Sequence, residues 1–376
     1  MYRFTFLDVG GYFGLRDIHV KPVSYYPSEN LEYPMMTEPQ LITPNELFYV
    51  RNHFEYPFVD VHQWSLSIEG MVVQPLQLTY QDLLKMNLVT LPATLECAGN
   101  KRSLWDKKAQ GVQFSLGAIS HAEWRGVRLK DVLEQAGISH QAKEVVFQGL
   151  DSGQRPDMEE QVFFERSLPL EKALHPDTLL ALEMNGQPLP FKHGFPLRLL
   201  VPGYYAMASV KWLHRIRVVE EVFKGPFQSI DYVILEKPND YTHAKPVSSV
   251  VINSSIASPS EEEEIAMGQH VICGYAWAGE HSVSKVEVST DGGKHWREAQ
   301  LLDPDIAYSW RRWSLDWRVD QPGVYTLMAK ATNELGESQP MKAKWNSKGY
   351  QNDAVHVVHV HVADAQLTEN LLHGKA

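Results

Sequence analysis

Polar and apolar positions alternate along His62-Gln-Trp-Ser-Leu-Ser-Ile-Glu-Gly70, the period of a half-buried strand, and the run closes on glycine. Val210-Lys-Trp-Leu-His-Arg-Ile-Arg-Val218 repeats that two-residue period. Glu144-Val-Val-Phe147 and Leu197-Arg-Leu-Leu-Val201 read as short buried strands, and Thr178-Leu-Leu-Ala-Leu-Glu-Met-Asn-Gly186 as a strand ending in an Asn-Gly turn. Leu129-Lys-Asp-Val-Leu-Glu-Gln-Ala136 has the spacing of a helix stopped by Gly137. A second, shorter helix is predicted at Thr79-Tyr-Gln-Asp-Leu-Leu, where a hydroxyl is followed three residues later by an acid. Strands and short helices mix here without regular alternation, so an α+β domain is expected rather than a doubly wound sheet. Residues 1–45, rich in Pro, Tyr and Gly and without periodicity, are expected to form an extended arm packed along that domain.

The pattern changes after the polar, proline-bearing segment Lys237-Pro-Asn-Asp-Tyr-Thr-His-Ala-Lys-Pro246. Val271–Trp277, Val283–Ser289, Gly323–Lys330 and Val355–Val362 all resemble strands, separated by turn signals such as Asp291-Gly-Gly293. Short strands at this spacing predict an all-β sandwich of immunoglobulin type. The expected division is an arm over 1–45, an α+β domain over 46–240 and a sandwich over 241–376. The acidic run Glu261–Glu264 is expected to be a solvated loop.

At 376 residues, 44% apolar and 22% charged, the chain has room for two cores. No apolar run approaches the ~20 residues that cross a bilayer as a helix, so no membrane span is expected. The opening Met1-Tyr-Arg-Phe-Thr-Phe-Leu-Asp8 lacks the order of a secretory signal, which points to the cytoplasm unless an export leader precedes it. The two cysteines, Cys97 and Cys273, fall in different halves, which argues against a disulfide framework. A net charge of −11 argues against nucleic acid as a partner. The cations Arg51, Arg102, Arg198 and Lys211 nevertheless gather in the first half, which suggests a small anionic ligand.

The densest chemistry lies in Thr94-Leu-Glu-Cys-Ala-Gly-Asn-Lys-Arg-Ser103. Lys101 and Arg102 follow the Cys97 thiol closely, and positive neighbours favour the thiolate that binds metals or attacks substrates. His356, His359 and His361 alternate with valine and are expected on the outward face of a strand rather than around a metal. Cys273, in an apolar strand, reads as core. Paired-cysteine zinc spacing, a dinucleotide fingerprint and a nucleophile elbow are all missing. Five pieces remain: Tyr49-Val-Arg-Asn-His53, the Cys97 loop, Gly149-Leu-Asp-Ser152, Phe191-Lys-His-Gly-Phe-Pro-Leu-Arg198, and Ser209-Val-Lys-Trp212 with Asp231-Tyr232 beyond it. They supply one soft thiolate, several cations, imidazoles and a phenol. One cysteine cannot hold a metal alone, so further ligands would come from a cofactor that brings its own donors.

In this order the five pieces resemble the molybdenum domain of the sulfite oxidase family, through Cys97-Ala-Gly-Asn-Lys-Arg-Ser103, His193-Gly-Phe-Pro-Leu-Arg198 and Val210-Lys-Trp212. Gly274-Tyr-Ala-Trp-Ala-Gly279 and Val286-Glu-Val-Ser-Thr-Asp-Gly-Gly-Lys-His-Trp296 resemble the family's immunoglobulin-like dimerisation domain, so a homodimer is expected. The resemblance implies that Cys97 is the protein's thiolate ligand to the molybdenum of a single molybdopterin. Tyr49, Asn52, His53, Asp151, His193, Arg198, Ser209 and Lys211 fall at pterin-contact positions. Arg51, Arg102 and Tyr232 fall at positions lining the sulfite pocket, with Asp231 placed to orient the phenol or relay protons. Arg311, or its neighbour Arg312, is expected to be an arginine contributed by the second domain.

The implied reaction is oxygen-atom transfer that turns sulfite, or a similar small oxyanion, into sulfate. No haem domain is recognised in this chain, so electrons would pass to a separate acceptor, a cytochrome being one candidate. The family's pocket tryptophan is replaced by Phe114, which keeps an apolar wall without the indole donor, and Gln154–Arg166 is unusually charged. Nitrate reduction fits less well, because the family's nitrate reductases do not keep the tyrosine found here as Tyr232. Other readings are action on another small sulfur or sulfoxide compound, a metal-free binding protein, and a thiol enzyme using Cys97 with His53 or His193 as base.

Overall fold

The strand predicted near residue 65 forms over Ser65–Gly70, with Leu66 and Ile68 fully buried and Ser65 and Ser67 partly exposed. The protein's structure is a computed structural model that describes residues 19–25, 28–35, 38–235 and 237–363. Ser65–Gly70 pairs antiparallel with Leu76–Thr79 and parallel with Leu213–Val219. Glu144–Gln154 and Gln161–Pro169 complete this five-stranded sheet. A second sheet runs through Leu88–Glu96, Ile119–Arg128, Leu179–Met184 and Gln187–Pro188, and Arg198–Leu200 pairs with Leu179–Met184.

The helices are few and short. Tyr80–Leu84 is closed at its start by reciprocal hydrogen bonds between Thr79 and Asp82. Leu129–Ala136 stops where Gly137 turns left-handed at φ 70°, a conformation that favours glycine. Asn185 and Gly186, at φ 52° and 72°, make the turn expected after Leu179–Met184. The first half is thus mostly sheet.

The second half packs two sheets face to face. One holds Asn253–Ser258, Gly268–Trp277, Arg311–Val319 and Gln300–Leu301; the other holds Glu263–Ala266, His356–Ala363, Gly323–Asn333, Val283–Ser289 and Arg297–Glu298. Ile272, Val286, Trp313, Leu327 and Val360 are fully buried in the core they share. Two expectations need correction. Glu263 and Glu264 are not in a loop but open an edge strand parallel to His356–Ala363. His359 and His361 do face outward, paired with Glu261 and Glu262, but His356 lies on the buried face and its Nδ1 accepts the Ile256 amide at 3.0 Å.

Residues 1–18 of the expected arm, and 364–376 of the expected sandwich, lie outside the described residues. The described part of the arm, Lys21–Ser24 and Asn30–Glu32, forms a small sheet with Val50–Arg51 of the first half. It packs along the first half through Tyr33 N to Gly117 O (2.9 Å) and Thr43 N to His121 O (2.8 Å). It also grips the second half: the Gln40 amide donates to Tyr275 Oη, Trp310 Nε1 to Leu41 O and Arg312 to Pro39 O. The largest core runs without a break from Leu66, Leu133 and Leu213 to Val250, Trp277 and Tyr350.

Candidate active site

Cys97 stands at the end of the strand Leu88–Glu96, where the chain turns sharply. Its amide donates to Ala118 O (2.8 Å) and its carbonyl accepts from the Asn100 amide (2.9 Å). The Asn100 side chain holds the turn from within, donating to Glu96 Oε1 and accepting from the Ala118 amide, both at 3.1 Å. Lys101 takes a left-handed φ of 61° and sends its ammonium away from the thiol, to Asn253 Oδ1 (2.6 Å) and Ser254 O (2.7 Å). Arg102 threads between three glycines: a Cβ at Gly99, Gly111 or Gly349 would come within 2.5, 2.9 or 3.1 Å of its atoms. Val112 O and Lys348 O accept from its guanidinium.

The expectation that the adjacent basic pair yields a thiolate is therefore corrected. Burial pushes the Cys97 thiol up, and Arg51 and Arg102 offset only part of that. A thiolate here requires a further positive charge at the sulfur, which is what a bound metal supplies.

Beside the thiol opens a cavity. Tyr49, Arg51 and His53 reach it from Val50–Arg51 and the residues flanking it, and Asp151 from the irregular middle of Glu144–Gln154. His193, Arg198, Ser209, Lys211 and Tyr232 line it as well. Gly149 is needed for this arrangement, because a Cβ there would lie 2.5 Å from Asp151 Oδ1 and 2.7 Å from Lys211 O.

Burial sets the charge states. His193 is driven down to about 3 by burial and by the nearby Lys211 and Arg198. Its Nε2 lies 3.1 Å from Asn45 O, so Nε2 carries the proton and Nδ1 is left as an acceptor. His53 is likewise held neutral by burial and by Arg51, stacks on Phe164 at 4.8 Å, and shares a 2.9 Å hydrogen bond with the Tyr232 hydroxyl. Burial raises the Tyr232 phenol well above its usual range. Arg198, lowered to about 10 by burial and so still cationic at neutral pH, donates to His193 O and Ser209 O and lies 5.0 Å over the Trp124 ring. Burial raises Asp151 and lowers Lys211, each drawing the other back toward its charged form. Lys211 also donates to Asn52 Oδ1, which holds Asn52 beside the cavity.

Residues 53–227 match the family "Oxidoreductase molybdopterin binding domain", and residues 244–363 match "Mo-co oxidoreductase dimerisation domain". The chain is 37% identical to the mitochondrial sulfite oxidase of Rattus norvegicus over 361 residues, 89% of this chain and 64% of that protein. It is 32% identical to the sulfite oxidase of Arabidopsis thaliana over 374 residues, 90% of this chain and 94% of that one. The chain belongs to the sulfite oxidase family of molybdopterin oxidoreductases. Its fold superposes on the sulfane dehydrogenase SoxCD of Paracoccus pantotrophus with a TM-score of 0.81 at 26% identity, covering 95% and 96% of the two chains. It spans 64% of the length of the rat sulfite oxidase.

The cavity fits the family's cofactor. Asp151 Oδ1 and Arg198 Nε are buried without a hydrogen-bond partner among the described residues. Such atoms are rare unless a bound group satisfies them. A pterin with ring nitrogens and a phosphate offers acceptors to Arg198 and Lys211 and a donor to Asp151.

Five residues stand elsewhere than the sulfite oxidase family resemblance placed them, the first being Arg102, which does not line the cavity and gives its guanidinium to Val112 O and Lys348 O. Asp231 does not orient the phenol: Arg155 grips both its oxygens at 2.5 and 3.2 Å, while Tyr232 bonds His53. Arg311 is held by the carbonyls of Asp303 and Val283, and Arg312 by the Asp303 carboxylate, so neither faces the cavity. Phe114 is fully buried in the apolar cluster that includes Cys97 and does not line the cavity. The charged stretch Gln154–Arg166 has structural employment: Arg155 clamps Asp231 and Asp157, and Arg166 lies 5.5 Å over the Tyr232 ring. Sequence reasoning passed over Asn346–Asn352, which packs on the cysteine loop through Gln351 N to Ala98 O (3.1 Å) and Asn352 Nδ2 to Lys101 O (3.0 Å). Its signal was a long stretch between strands carrying Trp345, Gly349 and Tyr350.

Proposed function

We propose that this chain oxidises sulfite to sulfate with a molybdenum–molybdopterin cofactor and passes the electrons to a separate acceptor, working as a homodimer. The observation that carries the reading is the buried Cys97 thiol opening on a cavity shared with Arg51, Arg198, Lys211 and the Tyr232–His53 pair. Cys97 Sγ would ligate the metal, and Asp151, His193, Arg198, Ser209 and Lys211, with Asn52 beside them, would hold the pterin. When bound, the cofactor supplies oxygen-atom transfer and a place for two electrons.

The chain's own residues do the rest. Arg51 would meet a small oxyanion with a planar fork of donors and steady its charge as its sulfur gains an oxygen. Arg102, immobilised among its glycines, adds positive potential from behind the cysteine loop. The neutral His53 fixes the direction of the Tyr232 hydroxyl, which stays protonated and able to donate. The structural likeness to a sulfane dehydrogenase supports a second reading, in which the substrate carries sulfane sulfur in the same cavity.

Elemental analysis for molybdenum, paired with sulfite-dependent ferricyanide reduction, tests the assignment. The expected result is about one metal per chain with sulfite turnover, both lost in Cys97→Ser. Protein without molybdenum from a host able to make the cofactor would sink it; metal with turnover on a sulfane compound alone would select the second reading.

A further inference from the structure

The second half was expected to lend an arginine to the site; instead it sets a tyrosine against Arg102 and Tyr232. We propose that Tyr350 is a positioning residue for the oxyanion site, holding Arg102 and Tyr232 in their binding arrangement from the opposite half of the chain. Its ring stacks on that of Tyr232, centroids 5.4 Å apart and planes within 18°. The Arg102 guanidinium lies 5.0 Å from the same ring. One phenol ring thus touches both Tyr232, which lines the cavity, and Arg102, which stands behind the cysteine loop. Ring stacking and cation–π contact fix direction as well as adding affinity.

The backbone around it is built to keep the ring there. Asn346 brackets Tyr350, donating to its carbonyl at 2.7 Å and accepting from its amide at 3.1 Å. Gly349 at φ 64° lets the chain pass against Arg102 and Ala109, where a Cβ would approach to 3.1 and 2.6 Å. Trp105 Nε1 donates to Gly349 O at 3.3 Å, and the Arg102 Nε donates to Lys348 O at 3.1 Å. Tyr350 itself is buried and does not line the cavity, so it acts through its neighbours rather than on the ligand.

The role rests on the proposed oxyanion site, and its test separates the two. Sulfate binding to the purified holoprotein is followed by titration calorimetry, beside KM and kcat for sulfite, in Tyr350→Phe and Tyr350→Leu. Phenylalanine keeps both ring contacts and is expected to bind sulfate as the wild type does. Leucine loses both contacts and is expected to weaken sulfate binding and raise KM about tenfold, with kcat and molybdenum content little changed. Should the leucine chain fail to fold, Tyr350→Met, a flexible apolar filler of the space, carries the same expectation. Sulfate binding and KM at wild-type levels in the leucine or methionine variant, or no sulfate binding by the wild type, would overturn the role. Wild-type sulfate binding that Tyr350 controls, without sulfite turnover, would uphold it and overturn sulfite as substrate.

Discussion

Burial works against the charged form at five histidines of this protein, His53, His121, His193, His214 and His356. His121 is the simplest, because it stands apart from the cavity: burial takes it down to about 4, against a weak upward pull from Asp303, and its Nδ1 pairs with Thr94 Oγ1 at 2.9 Å. A histidine lowered on folding favours the unfolded chain once the pH drops below its unfolded value near 6.5. Between pH 7 and pH 5 this one group should cost about 2 kcal/mol of stability. Urea unfolding of His121→Asn at both pH values should show an acid loss smaller than that of the wild type by that amount; equal losses would mean the ring is not held neutral. At this scale the sequence was informative where a motif fixed the residue's neighbours. Cys97, Arg51, His193, Arg198 and Lys211 all meet at one cavity. It misled at Arg311 and Asp231, because the Asp303 and Val283 carbonyls claim the first and Arg155, far off in the chain, claims the second.

Single elements carry the site by being irregular at one point. Glu144–Gln154 loses register with Gln161–Pro169 between Gln148 and Ser152, and that break contains Asp151. Gly149, within the break, allows the strand to pass close to Lys211. Gly149→Ala should lower stability by ~1–3 kcal/mol, as overpacking does, and reduce molybdenum content, measured by urea unfolding and elemental analysis. Unchanged metal content would show that the site tolerates a shift of Asp151. The alternation that marks strands was readable at Ser65–Gly70 and Leu213–Val219 because each faces a core on one side only. The edge strand Glu263–Ala266 was not, since its pairing, rather than its acidic composition, makes it a strand.

Across the whole molecule, the two halves are joined through the cysteine loop. Trp277 Nε1 donates to the buried Glu96 Oε2 at 2.8 Å, one residue before Cys97. Trp277→Phe removes that donor and should lower stability by ~1–3 kcal/mol. Because the largest core crosses both halves, calorimetry should show one transition that moves down as a unit; two separated transitions would contradict the shared core. None of this coupling was legible in the sequence, which shows each half's periodicity but not the contacts between them. The bond from Asn352 to Lys101 O spans 251 residues of chain. At about 5–20 residues per second during synthesis, the loop around Cys97 waits roughly 10–50 s for the segment that braces it. Through that interval the thiol belongs to an unfinished pocket, whose last clamp must be threaded back across most of the second half before it closes.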